Sequence, residues 1–119
     1  MIDKVNLGEA LEEVQGHWLP RVVAAYNDET VQVLKVEGEF VWHMHEGTDD
    51  LFLVLDGEIT VQLRDGDVRL GPHDLFVVPR GIEHCVYAER EARLLVIERL
   101  GDVGAEGAAP ELAAPDFER

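Results

Sequence analysis

The stretch FVWHMHEGTDDLFLVLDG, Phe40 to Gly57, places two histidines and two aspartates inside one of the most apolar parts of the chain. In an extended strand, successive side chains point to opposite faces, so His43 and His45 share a face. Their Cα atoms then stand roughly 6.6 Å apart, at about 3.3 Å per residue, close enough for two imidazoles to converge on one ion. The segment EGTD turns the chain, and Asp50 begins the next strand, where an antiparallel neighbour can bring its carboxylate beside the histidines. Asp49, one residue earlier, is turned away by the same alternation. The best third imidazole is His84 in PRGIEHC, where Pro79 and Gly81 fix a tight turn just before it. His17 has no partner at ligand spacing, and His73 in GPHD reads as an exposed turn residue. The plainer alternative is a pair of partly exposed, hydrogen-bonded histidines, with Asp50 closing a turn and His84 flanking one. Buried imidazoles beside an acid in apolar sequence need compensation for lost hydration, and a divalent metal supplies it.

The elements that position these residues are short. NLGEALEEVQ carries Leu7, Ala10, Leu11 and Val14 at helical spacing, with Asn6 as N-cap and Gly16 as stop. Beyond Pro20 come β-branched runs: RVVAAY, TVQVLKVEG, FVWHMH, LFLVL, EITVQL, DVRL, LFVVP, CVYA and RLLVIERL. Segments such as NDE, DG, RDGD, GPHD, PRG and EREA separate them. Many short strands with one helix predict an all-β fold, an antiparallel barrel or double-sheet jelly roll with a short N-terminal helix. Residues 1–30 hold the helix and first strand segment and residues 31–100 the barrel. The Ala-, Gly- and Pro-rich residues 101–119 form an extended tail.

With 119 residues the chain has the length of one domain. Its net charge of -15 repels phosphate backbones and anionic surfaces, which argues against nucleic-acid or membrane partners. Cys85, the single cysteine, cannot form an internal disulfide and fits a reducing compartment. The first residues carry no secretory h-region, and no apolar run nears the roughly 20 residues that span a bilayer. A cytoplasmic protein is expected.

At these residues the chain resembles the cupin superfamily, in particular the short single-domain cupins similar to mannose-6-phosphate isomerase. The first cupin motif is commonly written G(X)5HXH(X)3-4E(X)6G. Gly38, His43, His45 and Gly57 stand in its places, with four residues between Gly38 and His43 and with Asp50 in the glutamate place. Pro79, Gly81 and His84 match the second motif, G(X)5PXG(X)2H(X)3N, with His73 and Ala88 in its outer places. The resemblance implies a metal ion bound by His43, His45, Asp50 and His84. An aspartate, one methylene shorter than glutamate, either ligates directly or leaves that position to water; direct ligation is the expectation. Such a ligand set suits Fe, Mn, Ni, Cu or Zn.

If the histidines face inward, Phe40, Trp42 and Met44 face outward, as do Leu51, Leu53 and Leu55 if Asp50 faces inward with Phe52 and Val54. An apolar outer face needs a cover, either the chain's own first thirty residues or a second copy; a homodimer is expected. The expected function is metal-dependent chemistry of dioxygenase, isomerase or lyase type on a small organic molecule. The alternative is a non-catalytic small-molecule-binding module. No acid–base residue stands out by spacing, and Tyr26, Arg64 and Glu98 carry no distinguishing pattern.

Overall fold

The computed structural model describes residues 3–99, so the expected tail lies outside the described residues. Helix α1 (Leu7–Glu12) is followed by strands β1 (Arg21–Tyr26), β2 (Glu29–Glu39), β3 (Asp50–Asp56) and β4 (Ile59–Leu63). Strands β5 (Gly66–Leu70), β6 (Leu75–Val78) and β7 (His84–Glu98) complete the order. All pairings are antiparallel, and the strands fold into the expected jelly-roll barrel with one short N-terminal helix. One layer runs β1-β2-β7-β3-β6, while β4 pairs with β5 and with the first part of β7. No helix among the described residues is long and apolar enough to cross a membrane.

Local chemistry explains most boundaries. The Asn6 side chain accepts a hydrogen bond from Glu9 N at 2.9 Å, the N-cap expected at that position. The helix stops at Glu12, short of Gly16. Asn27 turns β1 into β2 at φ 57°, a conformation asparagine tolerates better than most residues. Two expectations fail. EREA does not separate two strands: β7 runs through it for 15 residues, with exposed Glu89, Arg90 and Glu91. That segment has no glycine, proline or asparagine to break an extended chain, and the β2–β7 register shift, which sets Glu89, Arg90 and Glu91 opposite Glu37, takes up the irregularity inside β7. FVWHMH is not a strand either: only His43 makes an isolated bridge, and residues 40–49 otherwise cross as a loop.

The inner faces of β2, β3, β4 and β7 form the core, including Val36, Val54, Ile59, Val61 and Leu94 at no more than 1% exposure. Burying each such side chain contributes about 1.5–3 kcal/mol relative to exposure. The outer face of β2 is covered too. Ala10, Leu11 and Val14 pack on Val33, with Leu7, Val23 and Leu55 at the margin. Trp18 stacks on Phe40 with ring centroids 4.8 Å apart, and the Arg64 guanidinium sits 3.8 Å above the Trp42 ring. The chain's own residues therefore cover Phe40, Trp42 and Leu55.

Gly57 closes the β3–β4 turn at φ +87°, and a Cβ there would lie 2.9 Å from the Cα of Ala92. Gly38 has φ +88° with nothing within 4 Å. Gly38→Ala is expected to cost about 1 kcal/mol from backbone strain alone. Gly57→Ala, adding a backbone clash, is expected to cost about 3 kcal/mol. Urea unfolding of both variants checks this, and equal losses would refute the clash.

Candidate metal centre

His43 and His45 lie on the loop between β2 and β3, Asp50 opens β3 and His84 opens β7. Two backbone bonds bring these segments together: His43 N donates to His84 O at 3.0 Å, and His84 N to His43 O at 2.9 Å. Gly81 N donates to His45 O at 2.7 Å, with Gly81 at φ +84° in the turn that precedes His84. Asp49 is turned away from the histidines, as expected, but it is not idle. Its Oδ1 accepts from Arg80 N at 2.9 Å and Arg80 Nε at 3.1 Å, tying one histidine loop to the other.

One ligand atom from each of His43, His45, Asp50 and His84 lies within 4.8 Å of the others. Asp50 Oδ2 stands 3.0 Å from His45 Nε2 and 3.4 Å from His84 Nε2. The rings are oriented from behind. His43 Nδ1 is 2.9 Å from Val41 O, and His84 Nδ1 is 2.9 Å from Ile82 O. A proton on each Nδ1 satisfies these carbonyls and leaves each Nε2 a free lone pair, the usual support for a ligating imidazole.

Burial sets the electrostatics. Asp50 is 3% exposed and His84 1%. Burial, then the neighbouring His84, pushes the His43 imidazole down to about 4, so it is neutral and able to ligate near pH 7. Burial works to raise the Asp50 carboxyl, but the adjacent His45 and His84 side chains, with the Glu98 carboxyl, outweigh it and hold the group well below the usual carboxylate range. Asp50 Oδ1 and His84 Nε2 are buried without a hydrogen-bond partner. An anionic oxygen and an imidazole lone pair left bare at such depth are expensive, and a divalent cation answers both. The residues present therefore fit a metal ion of the kind bound by mixed nitrogen and oxygen ligands.

The other histidines separate from this cluster. His73 is exposed in its turn at φ 74°, as expected. His17 does find acidic neighbours, contrary to expectation. Its Nε2 is 3.0 Å from Glu91 and 3.8 Å from Glu37, because the arm after α1 folds across β2 and β7, a placement that sequence spacing does not reveal.

Glu98, given no role from sequence, stands beside the cluster. Its Oε1 is 3.9 Å from His45 Nε2, and its Oε2 is 3.5 Å from Gln32 Nε2. The available signal was alternation along β7, since Leu94 and Val96 face the core and Glu98 continues that series. Burial and the adjacent Asp50 carboxylate push the Glu98 carboxyl up to about 9.

The chain matches the Cupin domain family over residues 30–98 and belongs to it. A cupin-2 domain-containing protein from Shewanella frigidimarina NCIMB 400 superposes with a TM-score of 0.78 at 38% identity. The match covers 80% of this chain and 93% of that one. The protein YdbB of Bacillus subtilis (strain 168) is 33% identical over 80 residues, 66% of this chain and 71% of its own length. Acireductone dioxygenase of Rhodopseudomonas palustris (strain TIE-1) is 35% identical over 74 residues, 59% of this chain but only 43% of that enzyme.

The Glu98 shift gives a signed pH dependence. The metal-free folded protein keeps the Glu98 proton up to about 9, whereas the unfolded chain releases it in the ordinary carboxylate range. The stability from this group is therefore complete at low pH and is lost as pH rises toward about 9. Glu98→Gln removes that loss. Between about pH 5 and about pH 8, the stability of metal-free Glu98→Gln should rise relative to the parent in denaturant titrations. A constant difference would refute the shift.

Proposed function

We propose that this chain is a metal-dependent cupin enzyme that acts on a small organic molecule at one divalent ion held by His43, His45, Asp50 and His84. The observation that carries the reading is the pair of bare, buried atoms, Asp50 Oδ1 and His84 Nε2, inside a four-residue ligand cluster. The ion would supply Lewis acidity and open positions for substrate oxygen. The chain's own residues hold the imidazoles in one tautomer, exclude water behind them and keep Asp50 ionised. Among the reactions expected for such a site, we favour dioxygenase type, supported by the similarity to acireductone dioxygenase over 74 residues. Direct ligation by Asp50 is favoured by its Oδ2, which already faces two imidazole nitrogens. We place the protein in a reducing compartment, the cytoplasm, because its lone cysteine is unsuited to pairing. Cys85 is fully buried, and burial followed by the Glu39 carboxylate pushes its thiol up to about 12.

Purified without added metal, the parent should carry about one divalent ion per chain by elemental analysis. His43→Ala, His45→Ala, His84→Ala and Asp50→Ala should each weaken metal binding at least about tenfold, while His73→Ala and His17→Ala should not. Full metal content in His84→Ala would defeat the proposed centre, and unchanged affinity in Asp50→Ala would defeat its ligation. Oxygen uptake with hydroxyketone or enediol substrates tests the reaction class.

The proposed partner is a second copy of the chain. On the outer face, Leu51 lies opposite Ile97 and Val77, and Leu53 opposite Leu95 and Leu75. Leu75 and Val77 at the β6 edge are 57% and 41% exposed, beyond the reach of α1. This continuous apolar surface supports a back-to-back dimer centred on β3 and β6, away from Phe40 and Trp42. Leu53→Asp or Leu75→Asp should convert a dimer to monomer in light scattering. A parent that stays monomeric at high concentration would exclude the pairing.

A further inference from the structure

We propose that His17, Glu37 and Glu91 form a second, exposed metal site at the junction of the N-terminal arm and the barrel, taking a nitrogen-binding divalent ion such as Zn(II). The three residues come from three segments: His17 from the arm, Glu37 from β2 and Glu91 from β7. One ligand atom from each lies within 4.8 Å of the others. His17 Nε2 is 3.0 Å from Glu91 Oε1 and 3.8 Å from Glu37 Oε1. Around a tetrahedral zinc ion, with bonds of about 2.0–2.1 Å, neighbouring ligand atoms stand about 3.4 Å apart. The observed separations straddle that value, so small side-chain rotations admit the ion. The site shares no residue with the buried histidine cluster and does not rest on the metal-centre reading.

The backbone brings these three side chains together. Val36 pairs with Ala92 and Gly38 with Ala88, so Glu89, Arg90 and Glu91 all stand opposite Glu37. The extra residues form a bulge that leaves Glu91 near Glu37. Trp18, the residue after His17, fixes the arm over this bulge. Its N–H donates to Lys35 O at 2.8 Å, and its indole Nε1 donates to Glu37 O at 2.9 Å. The histidine is thus anchored, one residue away, to the main chain of a glutamate it faces. A metal site held by backbone in this way loses little side-chain freedom when the ion enters.

The neighbouring cations leave the ligand atoms available. Arg93 approaches the other oxygen of Glu91, Nε to Oε2 at 4.0 Å, and its Nη1 is 3.6 Å from Glu12 Oε2. The Lys35 ammonium donates to Val14 O at 3.0 Å. Oε1 of each glutamate faces the imidazole instead. One ring nitrogen cannot satisfy two carboxylates: it offers one proton, and at most one charge, to share between them. A divalent ion bonds all three atoms at once and matches both negative charges. The imidazole selects Zn(II), Co(II) or Ni(II) over Mg(II) and Ca(II), which prefer oxygen ligands. All three residues are exposed, so water completes the coordination. The site is therefore weaker than the buried centre and fills only when metal is added; the ion kept through purification belongs to the buried centre.

Calorimetric titration with Zn(II) tests the site, on protein already given one equivalent of Zn(II) to fill the buried centre. The parent should take up one further ion, and a large excess of Mg(II) should not displace it. His17→Ala, Glu37→Gln and Glu91→Gln should each weaken this second binding at least about tenfold. Glu89→Gln, which removes an exposed acid of the same bulge, should leave it within about twofold. Circular dichroism matching the parent's shows that each variant is folded. In a His84→Ala background, which lacks the buried centre, one Zn(II) should still bind, and adding His17→Ala should abolish it. That comparison stands or falls whatever the fate of the buried centre. Uptake by His17→Ala equal to the parent's would overturn the site. So would equal losses in Glu89→Gln and Glu91→Gln, which would reduce the binding to a diffuse acidic surface. A parent that takes up no further Zn(II) would reduce the cluster to ion pairs and overturn it as well.

Discussion

Two main-chain hydrogen bonds between His43 and His84 are the constraint on which the site depends. They form a closely spaced antiparallel pair between residues 41 positions apart in the chain. The pair sets the separation of two imidazoles through backbone geometry. Side-chain contacts then refine it: Val41 O and Ile82 O orient the rings, and Asp49 holds Arg80 so that the two loops cannot slide past each other. Both carbonyls lie two residues before their histidine. The same local turn geometry is therefore used twice, once in each half of the site. A loop can serve here because its residues are tied at His43, His45 and Asp49 to a neighbour that is itself tied down.

The bridge creates an electrostatic problem as well as solving a geometric one. It brings three imidazoles and a carboxylate together inside an apolar barrel. Burial and then the His84 and His45 imidazoles lower the affinity of His43 for a proton, and Asp50 works against them. Adding Glu98 places a second carboxyl near the first, and a coupled pair in a buried place favours holding one proton between them. A divalent cation would change this balance by supplying positive charge without a proton. The arrangement is thus poised for a metal in the sense that its protein groups only partly satisfy one another.

The sequence exposed the residues whose role depends on local spacing. His43 and His45, Asp50 at a strand start, and His84 after a Pro-Gly turn were all legible, as was the Asn6 cap. What escaped depended on partners distant in sequence. Nothing in EREA announces that β7 continues through it; its exposed charged residues look like a turn, and only pairing on either side keeps the segment extended. Glu98 looks like an ordinary charged strand end until Asp50 and Gln32 stand beside it. The segment FVWHMH has the composition of a strand, but its backbone bonds are one with Val86, a pair with His84 and one with Gly81, which is too irregular to form a ladder.

The outer covering carries the same lesson to the histidines themselves. Trp18 enters the fold at φ 66°, a conformation that costs a bulky residue energy, and its surroundings hold it there. Its N–H donates to Lys35 O at 2.8 Å and its indole Nε1 to Glu37 O at 2.9 Å. Its ring stacks on Phe40, and Phe40 meets His43 edge-on at 5.4 Å. An aromatic series thus runs from the N-terminal arm to the first histidine. The arm does more than shield β2 from water: it limits the space into which the His43 ring can tilt. The helix and arm before the barrel are therefore part of the support of the site, even though every proposed metal ligand lies after them in the chain.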